Sequence, residues 1–183
     1  MNLCAIIIDI KTKGNKMYVK KLKLHLLLGI QYKKMIFLLI ILAILTADMY
    51  TKRCVNEQFA VEEKKELIKN HIEIWHKKNT GFSFSLHSGH IKLVSFVASA
   101  LTAAASIWLI KLIPRKGHNF LKLGLSFSIG GALGNLYERL FKKSVTDFIF
   151  IKFKNAPIFN VADIFIFFGN LIILATTNFK KRI

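Results

Sequence analysis

Met35–Ala47 reads MIFLLIILAILTA, a run without a single charge, and Asp48 follows at once. As a helix this run rises only about 20 Å, short of the roughly 30 Å hydrocarbon core of a bilayer. A helix that crosses must therefore continue past Asp48 to near Val55. That puts a carboxylate inside the membrane, about 10 Å below the far surface.

Three more apolar blocks follow, at about His90–Ile113, Phe120–Leu140 and Ile158–Thr177. Small residues crowd Ala98–Ser106, which suits close helix contact, and Pro114-Arg115-Lys116-Gly117 makes a turn. The 183 residues are 53% hydrophobic and 21% charged, with 16 Phe, less charge than a soluble domain of this size carries. One domain is expected from the length. The pattern predicts an all-α integral membrane protein of four transmembrane helices, over about 35–55, 90–113, 120–140 and 158–177. Residues 1–34 form a basic extension with Asp9 alone against eight lysines. Its apolar stretch Leu24–Ile30 is too short to span, and no small-residue cleavage site follows it. It reads as a cytoplasmic tail, or as a start-site artefact with translation beginning at Met35.

Between the first two blocks, 56–88 is polar and mixed in charge, with Glu62, Glu63 and Glu66 among Lys64, Lys65 and Lys69. This is a small extramembrane lobe, and the alternation of Ile72, Ile74 and His76 admits a short β-strand. The net charge of +18 is concentrated at the ends of the apolar blocks. The tail, the turn near Arg115 and the terminal Lys180–Arg182 carry basic charge with almost no acid, while the lobe is nearly balanced. Both termini are therefore expected in the cytoplasm and the lobe on the outer side. Lys142, Lys143, Lys152 and Lys154 in the 140–157 connection run against this pattern. Basic residues that flank apolar blocks do not make a nucleic-acid surface. Cys4 and Cys54 fall on opposite sides in this topology, so no disulfide is expected.

The polar residues within the blocks gather at one depth. Asp48 lies in the outer third of the first span, Asn135, Glu138 and Arg139 near the outer end of the third, and Asp163 about 8 Å into the fourth. Asp147 lies in the outer connection just after the third. A charge inside a bilayer costs at least about 2.5–3.5 kcal/mol, so groups gathered at one level should face one another or a watery cavity. Asn160 and Asp163 share a helix face, as do Asn135 and Arg139. Gly130 and Gly134 have the GxxxG spacing of close helix contacts. No Lys-Ser/Thr pair follows the glycines, which excludes a phosphate loop. His87 and His90 lack a third partner, so no metal and no cofactor are expected. Two carboxylates held close share a proton; one can then activate water while the other protonates a carbonyl oxygen. A non-enzymatic transporter or channel is the alternative, but it would need polar groups at several depths and a repeat.

At these residues the chain resembles the lipoprotein signal peptidase family, signal peptidase II. The resemblance is carried by Asp48-x-x-Thr51-Lys52-x-x-Val55, by Asn79, Gly81 and Phe84, and by Gly130-Gly131-Ala132-Leu133-Gly134-Asn135 with Arg139. Val145-x-Asp147-Phe148 and Phe159-Asn160-Val161-Ala162-Asp163 complete it. It implies an aspartic endopeptidase of the bacterial inner membrane with Asp147 and Asp163 as its dyad. Asp48, Lys52, Asn79, Gly81, Gly131, Asn135, Arg139, Asn160 and Ala162 would support the site or bind substrate. The implied substrates are prolipoproteins whose cysteine carries diacylglycerol, cut just before that cysteine near the outer leaflet by a monomer in contact with membrane lipid. Glu138 stands where the family usually has Asp, Lys143 where it has Gly, and Ser83 where it has Ala.

Overall fold

The computed structural model describes residues 20, 35–81, 91–153 and 156–179. The chain divides into two compact units, Met1–Ile36 and Phe37–Ile183. The first is described at Lys20, Met35 and Ile36 alone, so nearly all of the 1–34 extension lies outside the described residues, as do Ser83, Phe84, His87, His90 and Lys180–Arg182.

In chain order the elements are α1 (Met35–Gln58), β1 (Lys64–Ile68), β2 (Ile72–Asn79), α2 (Ile91–Leu112), α3 (Asn119–Lys142), β3 (Val145–Ile151), β4 (Ile158–Phe159) and α4 (Val161–Phe179). Helix α1 does run on past Asp48. Among the described residues three helices are long and apolar enough to cross a membrane: Met35–Gln58, Ile91–Leu112 and Val161–Asn178. Their apolar side chains point outward. Leu38, Leu39 and Leu42 on α1, Phe96, Leu101 and Ile110 on α2, and Phe167, Phe168 and Leu174 on α4 are all exposed. A continuous apolar exterior of this kind needs lipid rather than water around it.

Helix α3 is different, and the reason is its place in the bundle. It carries Lys122, Glu138, Arg139 and Lys142 together with Ser126, Ser128 and Asn135. It lies against α2 and α4, and Gly130 and Gly134 bring it against Ile44 and Asp48 of α1. A helix with neighbours on three sides needs polar partners more than an apolar coat. Close approach explains its glycines. A Cβ on Gly131 would collide with the backbone oxygen of Ala162, and one on Gly134 with the Asp48 carboxylate. Leu125 and Ile129 of α3 join Leu109 and Leu112 of α2 in the buried core.

The molecule is mostly helical, and the lobe in which the sequence admits a short strand belongs to a small sheet. The strands form one antiparallel sheet in the order β1-β2-β3-β4. The lobe supplies β1 and β2, β3 comes from the stretch read as a plain connection after the third block, and β4 is formed by the first two residues of the block read as the fourth span. Lys77, Lys78 and Asn79 pair with Asp147, Thr146 and Val145. Side chains alternate along a strand, so Asn79 and Asp147 share one face of the sheet, while Lys78 and Thr146 share the other.

Two residues link α3 to β3, and the first of them, Lys143, adopts the left-handed conformation at φ 60° and ψ 12°. A side chain there is strained by about 1 kcal/mol relative to glycine, which gives a physical reason for glycine at this position. Lys143→Gly is expected to raise the thermal midpoint with activity retained. A lowered midpoint would mean that the bond from Lys143 Nζ to the Leu140 carbonyl, 2.7 Å, outweighs the backbone strain.

Candidate active site

Strand β4 passes directly into α4 through Asn160, and this junction organises the site. Asn160 caps the helix. Its Oδ1 accepts from the Asp163 amide at 3.0 Å, and its own amide donates to Asp163 Oδ2 at 3.2 Å. This is the reciprocal pattern of a capping box, with aspartate in the returning position. The spacing of Asn160 and Asp163 was legible in the sequence as a shared helix face; in the structure it is a cap. The Asn160 side-chain amide donates to Asp147 Oδ1 at 2.7 Å and to Asn135 Oδ1 at 3.1 Å. One asparagine therefore touches both aspartates and the third helix.

The two carboxylates draw on different elements. Asp147 stands on β3 and accepts from Asn160 and, through Oδ2, from Asn79 Nδ2 on β2 at 2.9 Å. Asp163 stands in the first turn of α4 and accepts from Asn135 Nδ2 of α3 at 2.8 Å. Burial, reinforced by the charge of Asp163, pushes the Asp147 carboxyl up to about 7, against the pull of Asn79, Asn160 and Lys52. Two carboxylates that repel each other in this way favour a shared proton.

Behind them lies a buried charged cluster. Lys52 Nζ donates to Asp48 Oδ2 and to Asn135 Oδ1, each at 2.7 Å, and Glu138 Oε2 lies 3.8 Å away. Asp48 Oδ1 accepts from the Ala162 amide at 2.9 Å. Asp48 and Lys52 are 0% and 2% exposed, so this pair belongs to the scaffold and not to the cleft wall. Arg139 Nη2 donates to the Gly81 carbonyl at 3.2 Å, and its Nε has no partner among the described residues. Gly81 N–H in turn donates to Asn79 Oδ1 at 2.9 Å. Every site residue expected from the sequence is thus brought to one place: Asp147, Asp163, Asp48, Lys52, Asn79, Gly81, Asn135, Arg139 and Asn160 by hydrogen bonds, and Gly131 and Ala162 by backbone contact.

Sequence reading missed the clasp beneath Asp147. Glu138 takes the Thr146 amide at 2.7 Å and its hydroxyl at 3.0 Å. Thr146 Oγ1 also accepts from Asn56 Nδ2 at 3.2 Å and Lys78 Nζ at 2.9 Å, and Lys78 donates to Asn56 Oδ1 as well. Glu138 is one turn beyond Asn135, a spacing that could have pointed to it. Thr146 and Lys78 could be placed only by the strand register.

Asn79, Asn135, Arg139, Asp147 and Asp163 form the polar wall of a cleft of about 390 Å³, and Ile158, Phe159, Ile164, Phe167 and Phe168 form its apolar wall. Such a cleft can hold an extended apolar chain beside two carboxylates.

The family model for signal peptidase (SPase) II matches residues 40–179. A lipoprotein signal peptidase of Clostridium novyi (strain NT) is 34% identical over 138 residues, covering 74% of this chain and 92% of that protein. A second, from Clostridium acetobutylicum, is 30% identical over 139 residues, covering 74% and 89%. A bacterial membrane enzyme solved by the in meso method at 2.3 Å is similar in fold, with a TM-score of 0.70 at 24% identity over 79% of this chain and 88% of that one. Another, at 1.9 Å, gives 0.65 at 25% identity over 77% and 91%. The family match runs through α1 to the end of α4 and takes in every residue of the cluster, and the chain belongs to the signal peptidase II family of peptidases.

Proposed function

We propose that this peptidase is an aspartic lipoprotein signal peptidase that cuts diacylglyceryl-modified prolipoproteins just before the lipidated cysteine, with Asp147 and Asp163 as its catalytic pair. The observation that carries this reading is the pair itself. Two carboxylates that both accept from Asn160, Asp147 from its side-chain amide and Asp163 from its backbone amide, open onto one cleft. In the reaction the ionised carboxylate takes a proton from water as the water oxygen attacks the scissile carbonyl carbon. The protonated partner gives its proton to the carbonyl oxygen. Collapse of the tetrahedral intermediate expels the amine, which leaves with a proton returned from the pair. Arg139, whose Nε has no partner among the described residues, is placed to orient the substrate and to hold the negative charge of the pair.

On this reading α3 is a fourth span, both termini are cytoplasmic, and the sheet lies at the outer face of the bacterial inner membrane. The site is complete within one chain, which suits a monomer.

The test is cleavage of a purified diacylglyceryl prolipoprotein by the detergent-solubilised protein. Asp147→Asn and Asp163→Asn are each expected to lower turnover by roughly a thousand-fold or more while the protein still inserts. Full activity in either variant removes the dyad. Failure of the well-folded wild type would return the transporter reading, to be checked by ion flux.

The pH dependence has a definite sign. Asp147 is raised to about 7, so the singly protonated pair persists up to neutrality and is lost above it. The rate constant kcat is expected to fall as pH rises through about 7, approaching a ten-fold loss per unit. A flat profile to pH 9 would show that the proton of Asp147 takes no part.

A further inference from the structure

Burial favours the shared proton on Asp147, and the hydrogen-bond pattern behind the pair gives a geometric reason for the charge to rest on its partner. Lys52 lies outside the cleft, buried on α1. An ammonium group has donors and no acceptor, so whatever side chain faces it must present oxygen. Asn135 does so, with Oδ1 2.7 Å from Lys52 Nζ. That fixes the sense of the whole amide. With its oxygen turned to Lys52, Asn135 can present only its NH2 to Asp163, and it does, at 2.8 Å. Asn160 follows suit. Its NH2 also meets Asn135 Oδ1, so its oxygen is left for the Asp163 amide.

We propose that Lys52 is a positioning residue that assigns the shared proton to Asp147 and the charge to Asp163 by fixing the Asn135 amide, whose oxygen must face the buried ammonium. The proposal rests on the aspartic dyad. Asp163 receives a donor polarised by a cation, and a hydrogen bond polarised in this way is strengthened. It also receives the Asn160 backbone amide at a helix N-terminus, where negative charge is favoured. Among the described residues Asp147 accepts hydrogen bonds from neutral side-chain amides alone, those of Asn79 and Asn160. Asp163 is then the base that takes the proton of water, and Asp147 the acid that protonates the carbonyl oxygen.

Lys52 also acts on Asp147 directly through space, lowering its carboxyl, and other charged groups surround the pair. Arg139 of α3 faces Asp163 and Asp147 together. Glu138 and Lys142 of α3 and Lys78 of β2 surround Thr146 or Glu138, and Lys77 of β2 stands opposite Asp147 in the sheet. Asp48 of α1 is paired with Lys52 itself. None of these reaches one aspartate through an amide whose direction it sets.

Removing Lys52 leaves Asn135 Oδ1 held by the Asn160 NH2 alone, at 3.1 Å, so that it can turn toward Asp163 and hold a proton there. Lys52→Met is expected to move the pH–rate profile to higher pH by about one unit, a roughly ten-fold loss of kcat on the acid limb, with KM little changed. The single variant leaves Asp48 buried without a counter-charge and can fail to fold. Asp48→Asn/Lys52→Met removes both charges while keeping an oxygen for the Ala162 amide, and decides the matter. The proposal expects this double variant to melt near the wild type and still show the displaced profile. A wild-type profile in the double variant, scaled down or not, would make the pair a helix brace and overturn the proposal. Asp147→Asn and Asp163→Asn are run beside it. If either turns over, the dyad fails; if both are inactive and the double variant keeps the wild-type profile, only the assignment of the proton fails.

Discussion

The first turn of α4 presents backbone N–H groups to the interior of a helix bundle, where no water can be counted on to meet them, and the polar interior is arranged around that demand. A helix start leaves several amides without partners. Here the Ala162 amide goes to Asp48 and the Asp163 amide to Asn160, whose own amide goes back to Asp163. Each answer creates a further demand. A buried Asp48 carboxylate needs a cation, and Lys52 supplies it. A buried ammonium needs further oxygen, and Asn135 supplies that. Asn135 has an amide left over, and it goes to Asp163. The chain of obligations closes on the residue where it began.

Such a circuit is costly to break and inexpensive to keep. An unsatisfied buried polar group costs about 1–3 kcal/mol, and an unpaired buried charge costs more. Folded proteins have a net stability of only about 5–15 kcal/mol, so one broken member can dominate the balance. This is why the helices must come close. Gly131 and Gly134 let α3 reach the start of α4 and Asp48. A methyl group at either place would separate the partners before any chemistry was lost.

The sequence was legible where the physics is local. Runs such as Met35–Ala47 gave α1, α2 and α4, and the spacing of Asn160 and Asp163 gave their proximity. Helix α3 reads in the sequence as a span over about 120–140; it is a helix, but polar residues turned to its neighbours keep it out of the three that are apolar enough to cross among the described residues. Strand β3 was not legible. Val145–Ile151 is buried on both faces at its start and lacks the clean alternation of a half-buried strand, and lysines flank it. Asp48, Asp163, Asn135 and Arg139 stood out because polar groups within apolar blocks need a reason, while Asn79 and the role of Asp147 came from the family resemblance. Thr146 and Lys78 did not, since a threonine and a lysine in a polar stretch need none. Their pairing spans 68 positions of chain, and only the register of β2 on β3 brings them together.

The two aspartates come from different kinds of structure, and on the proposed reading that division matches the substrate. Asp163 sits at the head of a helix with an exposed apolar face and Asp147 on a four-stranded sheet. The apolar wall of the cleft ends at Phe167 and Phe168, which are 60% and 51% exposed on the outside of α4. An acyl chain can therefore pass from bilayer to cleft across a continuous apolar surface without being exposed to water. Hydrolysis still needs a water molecule, and an apolar cleft alone would exclude it. The opposite wall supplies the remedy, since Asn79, Asn135 and Arg139 crowd the carboxylates with hydrogen-bonding groups. The peptide is then held where lipid on one side and water on the other can each reach the part of the substrate they must serve.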